Sequence, residues 1–464
     1  MRLTASEIAN ATGGKVVGDD TVVADSFSID SRTLQPGACF VALAAERDGH
    51  DFVVDAFDRG AVVAVVAREL DPGSGARALV EVEDPLVALG TLGAEARDRL
   101  TDATVVGITG SAGKTATKDL LAAAVRGTRR VTASPVSFNN EVGLPLTMLS
   151  ADAGTEVVVA EMGARFAGNI ADLCAIARPH IGVITNIGLA HTGPLGGRAG
   201  VAATKGELLD ALPSDGVAVL HADDDFTPEL ARRTLARVVQ VGLEARADID
   251  VYVTDVVLDD QLRPSFRLDT PVGSLDLRLS VRGEHQVLNA AMATAVAIEL
   301  GVPLADIGHG LARADTAAWR MELDRTDHGV TVLNDAYNAS PTSTAAALRS
   351  LARLPVTGRR MAVLGEMREL GAEADAAHHD IGRMAVECGV EVLVVVGEEA
   401  RALSVGARAA GHGSVEVIEV SDPAAAVDAI ADRAREGDAV LVKASRAIGL
   451  ERVAAALVDE AAPA

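Results

Sequence analysis

The stretch TVVGITGSAGKTATKDLLAAAV, residues 104–125, joins an apolar run to a helical pattern through a glycine-rich turn. The apolar run predicts a buried strand, because short continuous apolar segments bounded by turn residues are typical of parallel sheets. The turn GSAGKT then gathers backbone N–H groups and a helix N-terminus around one point, which is the arrangement that binds a phosphate group. Together the three parts indicate an α/β domain with a nucleotide site.

Lys114 and Thr115 carry the chemistry of this turn. The lysine is placed to reach the terminal phosphates of ATP, and the threonine hydroxyl is placed to bind Mg²⁺. A full Walker sequence has a further glycine about five residues before Gly113, where this chain has Ile108, so the match is partial. A glycine-rich turn with an incidental GKT is the alternative. The predicted ATP-binding residues of the loop are Gly110, Ser111, Ala112, Gly113, Lys114 and Thr115.

Lysine is rare in this chain, since arginine supplies most of the 42 basic residues. Arginine and lysine differ in geometry, hydration and nucleophilicity, so a lysine kept in an arginine-rich chain is more often needed as lysine. Chance retention at tolerant surface sites is the alternative. The lysines are Lys15, Lys114, Lys118, Lys205 and Lys443.

Outward from the loop, apolar runs and helical patterns alternate along the chain. The runs TVVGIT, EVVVAEM, IGVITNI and GVAVLHAD predict a mostly parallel sheet covered on both faces, and residues 248–282 predict antiparallel hairpins added to it. A small α/β pattern precedes this unit, and a nucleotide-fold-like α/β pattern follows it. Because 464 residues exceed the size of one hydrophobic core, we predict three α/β domains, residues 1–100, 101–315 and 316–464.

The bulk composition argues against several classes of protein. A net charge of -24 argues against a nucleic-acid binder, since counterion displacement needs clustered cations. Cys39, Cys174 and Cys388 are far apart and odd in number, which predicts neither a disulfide framework nor a zinc site. The start lacks a basic segment followed by an apolar core, and no apolar run approaches the roughly 20 residues of a membrane-spanning helix. We therefore expect a cytoplasmic protein without membrane insertion.

Nine short segments follow one another over nearly the whole chain: TGSAGKT, SFNNEVGLPLT, EMGAR, TNIGLAH, ATKGEL, LNAAMA, NDAYNASP, LGEMRELG and VLVKASR. In this order they resemble the Mur ligases. The segments YNASP at 337–341 and LGEMRELG at 364–371 are similar to those of the ligases that add D-alanyl-D-alanine, the MurF type. The strings YAHTP and DNPR, typical of the ligase that adds the preceding residue, do not occur in this sequence.

The resemblance implies an ATP-dependent amide ligase that joins D-alanyl-D-alanine to UDP-N-acetylmuramoyl tripeptide through an acyl phosphate. It implies ATP and Mg²⁺ as cofactors and a monomer, with residues 1–100 binding the uridine nucleotide and residues 316–464 acting as the ligase domain. Two other interpretations stay open, a relative that adds a different amine and a P-loop ATPase without ligation. The third residue of the acceptor peptide, L-lysine or meso-diaminopimelate, stays undecided.

The catalytic residues that the resemblance implies are Lys114, Glu161, His191 and Lys205. Glu161 ends the apolar strand EVVVAEM at the carboxyl edge of the sheet, where ligands of parallel sheets bind, and its oxygens suit Mg²⁺. The metal ligands implied are Thr115 and Glu161 for one Mg²⁺ and His191 for a second, together with Lys205 as its carbamate. A histidine with a structural hydrogen bond is the alternative for His191.

Carbamylation of Lys205 has its own chemical reason. A positive ammonium is poorly placed beside Mg²⁺ ions, and metal proximity favours the neutral amine, which can add CO₂ and become an anion. Arginine has no such amine. The alternative is a lysine at a helix start that pairs with Glu207 or another acid.

The resemblance also implies contacts outside the catalytic set. Asn289 matches a residue near the adenine, Arg320 an arginine that reaches the ATP phosphates, and Asp335 the carboxylate that holds the ribose hydroxyls. A helix-capping asparagine and solvated ion pairs are the alternatives. The substrate-binding residues implied are Ser31 and Arg32 for the uridine nucleotide, Asn139 and Asn140 for the muramoyl peptide, and Tyr337, Asn338, Lys443, Ser445 and Arg446 for the dipeptide. Ser31 and Arg32 could instead build a turn before a strand.

Overall fold

The computed structural model describes residues 1–73, 75–135, 137–315 and 317–459. Its strands form three large sheets with helices packed on them, which confirms the predicted α/β class and the mostly parallel central sheet between two smaller sheets. We call the three units the N-terminal, central and C-terminal domains. The boundaries at 100/101 and 315/316 stay predictions, and residue 316 lies outside the described residues.

The N-terminal domain combines a five-stranded sheet with a two-stranded ribbon. Its elements are β1 (Leu3–Thr4), α1 (Ala5–Thr12), β2 (Lys15–Gly18), β3 (Val23–Ala24), β4 (Ser26–Ser28), β5 (Ala38–Val41), α2 (Val53–Asp58), β6 (Val63–Val66), β7 (Ala78–Glu81) and α3 (Pro85–Arg99). The sheet order is β2-β7-β6-β5-β4, with β2 antiparallel to β7. The helix α3, which begins behind the capping residue Asp84, leads into the central domain.

The central domain contains a nine-stranded sheet. Its elements are β8 (Thr104–Thr109), α4 (Lys114–Val125), β9 (Val131–Ala133), α5 (Gly143–Ser150), β10 (Val157–Glu161), α6 (Asn169–Ala177), β11 (Ile181–Ile184), α7 (Thr192–Leu195), α8 (Arg198–Asp210), β12 (Val217–His221), α9 (Thr227–Leu230), β13 (Arg237–Gly242), β14 (Val251–Leu258), β15 (Pro264–Thr270), β16 (Gly273–Arg278), α10 (Gln286–Glu299) and α11 (Leu304–Leu311). The order is β16-β15-β14-β13-β12-β11-β8-β10-β9. The antiparallel strands β14 to β16 confirm the hairpins predicted for 248–282.

The C-terminal domain contains a six-stranded sheet. Its elements are β17 (Glu322–Arg325), β18 (Thr331–Asn334), α12 (Pro341–Arg353), β19 (Arg360–Gly365), α13 (Ala374–Glu387), β20 (Val390–Val396), α14 (Arg401–Gly411), β21 (Glu416–Val420), α15 (Pro423–Ala431), β22 (Ala439–Lys443) and α16 (Glu451–Asp459). The order is β17-β18-β22-β19-β20-β21, and β17 pairs antiparallel with β18. Short 3-10 turns lie at Gly49–Phe52, Ala231–Arg233, Gly371–Glu373, Glu398–Ala400 and Arg446–Ile448.

The strand order of the central sheet positions the phosphate loop. β8 lies between β10 and β11, so Glu161 is opposite Ile108 and Ile184 is opposite Thr109. Because parallel strands present their carboxyl ends at one edge, the loop after β8, the end of β10 and the segment after β11 meet there.

Within the described part of the chain, no helix has the length and apolar character needed to cross a membrane.

Candidate active site

The phosphate loop is held in place by the segment that follows β11. Ser111 donates its backbone N–H to Asn186 O at 3.0 Å, and Ala112 donates its backbone N–H to the side-chain oxygen of Asn186 at 3.0 Å. The Thr185 hydroxyl donates to Ala112 O at 2.6 Å. These contacts, made by residues of TNIGLAH, fix the shape of the loop without using its remaining N–H groups.

Asn289 lies directly against the loop from the first turn of α10. Gly113 has a φ of +83°, and a Cβ at this position would lie 2.5 Å from Asn289 Oδ1, so glycine is required. Asn289 Nδ2 donates to Gln286 Oε1 at 2.9 Å, and its Oδ1 accepts from the Thr117 hydroxyl at 3.4 Å. The buried asparagine therefore supports the loop.

Lys114 begins α4 and folds back over the loop, where its Nζ donates to Gly110 O at 2.8 Å. Burial lowers the pKa of Lys114, Glu161 opposes that shift, and Arg320 adds to it. A lysine, a carboxylate and an arginine from distant parts of the sequence therefore lie within electrostatic range of one another.

Glu161 is a buried carboxylate with one oxygen left unpaired. The residue is 1% exposed, and its Oε1 accepts from Asn139 Nδ2 at 2.8 Å. Its Oε2 is buried and lacks a hydrogen-bond partner among the residues that the structure describes. A buried unpaired carboxylate oxygen is costly, and a bound cation would satisfy it. Glu161 therefore fits the predicted role of a Mg²⁺ ligand.

The described residues contain no cluster of three His, Cys, Asp or Glu side chains that could hold a metal ion. Mg²⁺ at Glu161 would therefore also need ligands of other kinds. The hydroxyl of Thr115, at the start of α4, is one such oxygen.

Lys205 is the most deeply buried lysine near this edge, with 1% of its surface exposed in α8. Burial lowers its pKa well below the usual value, and the charge of Lys114 lowers it further. The carboxylate of Glu207, the alternative partner, instead accepts from Gly168 N at 2.8 Å and Ala171 N at 3.0 Å and so caps α6. The described residues supply no hydrogen bond or ion pair to the Lys205 amine.

His191 stands just before α7 with a φ of +62°, a left-handed conformation that is uncommon for histidine. Its Nδ1 hydrogen-bonds to the Glu369 carboxylate of the C-terminal domain. Burial and the charge of Lys114 lower the pKa of His191, Glu369 opposes this, and Lys205 adds to the lowering. Lys114, His191 and Lys205 thus face the same small region.

Arg320 brings the C-terminal domain to the phosphate loop. Its Nη2 donates to the Thr115 hydroxyl at 3.1 Å, and its guanidinium lies 4.0 Å from the centre of the Tyr337 ring. The Tyr337 hydroxyl in turn hydrogen-bonds to the Ser137 hydroxyl of the central domain. The predicted phosphate-contacting arginine is therefore within reach of the loop.

The buried Lys443 forms an ion pair with the partly buried Asp335, with 2.5 Å between the Asp335 carboxylate and Lys443 Nζ. Lys443 Nζ also donates to Asn338 O at 2.9 Å, and the Asp335 carboxylate accepts from Met321 N at 3.2 Å. The lysine predicted for the dipeptide and the aspartate predicted for the ribose are therefore direct neighbours.

Ser445 and Arg446 follow β22, and their side chains have different surroundings. The Ser445 hydroxyl is buried and accepts from Arg368 N at 2.9 Å. The Arg446 guanidinium lies 4.3 Å from the centre of the Trp319 ring and 3.1 Å from the Glu451 carboxylate.

The predicted uridine-nucleotide residues lie in the turn after β4. Ser31 donates its hydroxyl to Asp55 at 2.7 Å, and Arg32 pairs with Asp30 at 2.7 Å. Hydrogen bonds from Arg32 lower the pKa of Asp30 to about 2. These contacts stay within the N-terminal domain.

Asn139 and Asn140 have separate surroundings. The amide of Asn139 contacts Glu161, as described above, whereas the side-chain oxygen of Asn140 accepts from Gly143 N at 3.0 Å at the start of α5.

Two residues that lie close to the site were not among the predicted ones. Lys118, one helical turn after Lys114, is 2% exposed, and its Nζ donates to Ser134 O at 2.6 Å and lies 3.0 Å from Asp119. The rarity of lysine in this chain was the one sequence signal that pointed to Lys118. Glu369, in the segment LGEMRELG, carried no comparable signal.

Two family models match this chain: the Mur ligase middle domain over residues 108–297 and the Mur ligase glutamate ligase domain over residues 319–446. Among curated proteins, the UDP-N-acetylmuramoyl-tripeptide–D-alanyl-D-alanine ligase of Mycobacterium tuberculosis strain H37Rv is 41% identical, over 99% of this chain and 98% of that protein. The ligase of the same name from Escherichia coli K12 is 32% identical over 99% of both chains.

Solved structures show the same similarity. The crystal structure of MurF from Acinetobacter baumannii has a TM-score of 0.87 and 32% identity and covers 99% of both chains. The Thermotoga maritima MurF ligase in complex with ADP has a TM-score of 0.78 and 30% identity, over 94% of this chain and 97% of that one.

Proposed function

This chain belongs to the Mur ligase family, and we propose on that premise that it joins D-alanyl-D-alanine to UDP-N-acetylmuramoyl tripeptide, using ATP, in peptidoglycan precursor synthesis. The observation that carries the proposal is the buried Glu161 carboxylate, with its unpaired oxygen, next to Lys114 and the phosphate loop. This arrangement suits the transfer of a phosphoryl group rather than simple nucleotide storage.

The proposed reaction has two steps, and different residues assist it. The tripeptide carboxylate attacks the γ-phosphorus of ATP, ADP leaves, and an acyl phosphate forms. The amine of D-alanyl-D-alanine then attacks the acyl carbon, and phosphate leaves from the tetrahedral intermediate. Lys114 and the loop N–H groups hold the ATP phosphates, and Arg320 adds positive charge from the C-terminal domain.

One Mg²⁺ would be held by Thr115 and Glu161 and a second by His191, with a carbamate on Lys205 as a further oxygen ligand. When bound, the metal neutralises charge on the phosphates. Asn289 would lie beside the nucleotide, and Asp335 would meet the ribose. Ser31, Arg32, Asn139 and Asn140 would contact the uridine nucleotide and muramoyl peptide. Tyr337, Asn338, Lys443, Ser445 and Arg446 would line the dipeptide side. We propose a cytoplasmic monomer, because ATP and the UDP-linked precursor are cytoplasmic and the three domains contain the whole set of residues.

We propose that Lys205 is carbamylated, and its surroundings support this. The amine is buried, its pKa is lowered well below the usual value, and Lys114 faces it. A neutral amine adds CO₂ to form a carbamate and releases one proton. The resulting anion would relieve the repulsion from Lys114 and supply oxygen ligands for Mg²⁺.

Lys205→Arg tests the carbamate, with Lys118→Arg as the control because Lys118 is equally buried but bonded to Ser134 O and Asp119. With ¹³C-bicarbonate, the wild type and Lys118→Arg should show a carbamate carbon signal by NMR, and Lys205→Arg should lose it together with ligation. A fully active Lys205→Arg enzyme would exclude the carbamate.

One coupled assay tests the proposed reaction itself. Phosphate release should require ATP, Mg²⁺, UDP-muramoyl tripeptide and D-alanyl-D-alanine, and mass spectrometry should show the pentapeptide product. Tripeptides ending in L-lysine and in meso-diaminopimelate should be compared directly. Turnover of ATP that is unchanged without the dipeptide would indicate an ATPase, and a product formed with another amine would indicate a different member of the family.

A further inference from the structure

The segment at 366–373 of the C-terminal domain, which we call the docking loop, lies against the central domain just after His191. Gly193 donates its backbone N–H to Glu369 O at 3.1 Å, and the Thr192 hydroxyl donates to Leu370 O at 3.3 Å. The central domain is therefore bonded here to backbone carbonyls of the docking loop, and these bonds do not depend on the side chain of residue 369.

Two glycines make this approach possible. A Cβ on Gly193 would lie 2.8 Å from Gly371 N, and a Cβ on Gly371 would lie 2.5 Å from Gly193 Cα. Neither distance is compatible with a side chain, so the backbones can meet only when both residues are glycine. The contact has one closely defined geometry.

That geometry delivers the side chain of Glu369 to the catalytic region. Its Oε2 hydrogen-bonds to His191 Nδ1, and its Oε1 lies 3.4 Å from Arg165 Nε. Glu369 has a φ of +65° and His191 a φ of +62°, so both partners of the bond hold a backbone conformation that non-glycine residues rarely adopt. Such conformations persist where the surrounding structure holds them, and they concentrate at functional sites.

The bond has a specific consequence for the imidazole. A neutral histidine carries one N–H, and a carboxylate, which only accepts hydrogen bonds, places that hydrogen on the nitrogen it faces. With the hydrogen on Nδ1, the lone pair of Nε2 is available as a metal ligand, and a carboxylate behind a ligating histidine also fixes the ring orientation. In the described part of the chain, Nε2 of His191 has no protein hydrogen-bond partner.

We propose that Glu369 is a positioning residue, which the C-terminal domain brings to His191 on closure and which sets the tautomer and orientation that the metal site requires. The proposal rests on the proposed function, in which His191 binds Mg²⁺. In this arrangement the metal site is complete only when the C-terminal domain, which receives the amine, has docked. An open enzyme would then bind the metal weakly and use little ATP without a productive partner.

Three variants separate this role from general packing. Glu369→Ala removes the carboxylate and keeps the glycine contact. Gly193→Ala keeps the carboxylate and obstructs docking, because its Cβ would meet the Gly371 backbone. Glu373→Ala is the control, because this acid lies in the same loop, is exposed and has no ion pair among the described residues.

The first readout is Mn²⁺ affinity, measured by electron paramagnetic resonance on the full chain with a non-hydrolysable ATP analogue, so that turnover plays no part. We expect Glu369→Ala and Gly193→Ala each to weaken Mn²⁺ binding by about 10- to 100-fold, the usual effect of losing a partner behind a metal ligand. Glu373→Ala should match the wild type.

The second readout is the tautomer of His191 in ¹⁵N-histidine spectra, with the signal assigned by its loss in His191→Gln. The wild type should show hydrogen on Nδ1, and both test variants should show a mixture of tautomers. Wild-type Mn²⁺ affinity or an unchanged tautomer in Glu369→Ala would overturn the proposal, even if Gly193→Ala failed to fold. Pentapeptide formation by the wild-type enzyme tests the proposed function separately, because it could succeed while this inference fails.

Discussion

The central domain meets its two neighbours in very different ways. Its contact with the N-terminal domain, which we call the apolar joint, is centred on α3 packed on α5 and α6, with polar contacts such as the Asp98–Arg178 ion pair beside this packing. One buried cluster runs from the N-terminal sheet through Leu89, Leu92 and Ala96 of α3 into the central domain. At its tightest point, a Cβ on Gly93 would lie 2.8 Å from Pro145 Cα.

The contact with the C-terminal domain, which we call the polar joint, is made largely by the residues of the site. It contains the bonds of Glu369 to His191, of Arg320 to Thr115 and of Tyr337 to Ser137. Leu262, with the partly buried Leu189 and Leu258, adds an apolar contact from the central domain.

Interfaces between domains allow motion unless they are large and hydrophobic. The difference between the joints therefore indicates which part of the molecule moves. The N-terminal and central domains should behave as one body, and the C-terminal domain should open and close over the phosphate loop. Substitutions at the polar joint should lower activity without unfolding the protein, and those at the apolar joint should do the reverse.

The largest effect is expected for Lys114→Ala, beside the polar joint. The variant keeps the loop backbone and loses the cation that we propose stabilises charge on the phosphates, so turnover should fall by on the order of 10² to 10³. Phosphate release and thermal unfolding should be measured together, and the melting temperature should change little. Near-normal turnover in the folded variant would exclude Lys114 from the ATP site.

Gly93→Ala should have the converse effect at the apolar joint. Its Cβ meets Pro145, and overpacking of this kind destabilises by about 1–3 kcal/mol, partly offset by the better helix propensity of alanine. Urea unfolding checks the loss, while kcat at moderate temperature should be unchanged.

Gly90→Ala is the matched control on the same helix, because its Cβ would lie 3.6 Å from Ile176 Cδ1, an ordinary contact. It should be neutral or slightly stabilising. Equal losses of stability in both variants would mean that the helix, rather than the joint, is responsible.

Tyr337→Phe should have a smaller effect on activity, limited to the closure of the C-terminal domain. The substitution removes the hydrogen bond to Ser137. Such a bond stabilises the closed state by about 0.5–1.5 kcal/mol, so its loss should raise the KM for substrate by about two- to tenfold. Ser137→Ala should give a similar rise, and the double variant should add little to either. Strictly additive effects would show that the two hydroxyls act independently.

The smallest perturbation is thiol labelling of the unmodified enzyme. Burial raises the pKa of Cys174 to about 12 and also raises the pKa of Cys39, and both thiols lie in the core that spans the apolar joint. Cys388, in the C-terminal domain, is only partly buried. At pH 8, Cys388 should react first with iodoacetamide, and the other two should react only as the protein unfolds. Early labelling of Cys174 would contradict a rigid apolar joint.

The same contrast explains what the sequence could predict. The strand-loop-helix around Lys114 and the hairpins of 248–282 depend on local patterns, and the structure confirms them. Glu161 could be placed at the sheet edge because it ends an apolar strand. Functional residues that lie on one strand or in the loop after it could therefore be predicted from the sequence.

The polar joint was not accessible in that way. The pairing of Asp335 with Lys443 joins residues 108 positions apart, and that of His191 with Glu369 joins residues 178 positions apart. Such pairs depend on the order of strands in the sheets and on how the domains close, and local hydrophobic periodicity predicts neither. Glu369 was part of a recognised segment, yet the segment alone could not show which domain its carboxylate faces.

Distances between spin labels test the central claim, that the C-terminal domain alone closes over a rigid remainder. Labels at Val54→Cys, Leu235→Cys and Val405→Cys report on the three domains in turn, since these residues are 68%, 89% and 54% exposed. The background should carry Cys388→Ser, with the buried Cys39 and Cys174 left in place.

The distance between positions 54 and 235 should be narrowly distributed and unaffected by ligands. The distance between positions 235 and 405 should be broad in the free enzyme and should narrow when Mg²⁺, a non-hydrolysable ATP analogue and UDP-muramoyl tripeptide are added. A ligand-dependent change between positions 54 and 235, with none between positions 235 and 405, would contradict the account.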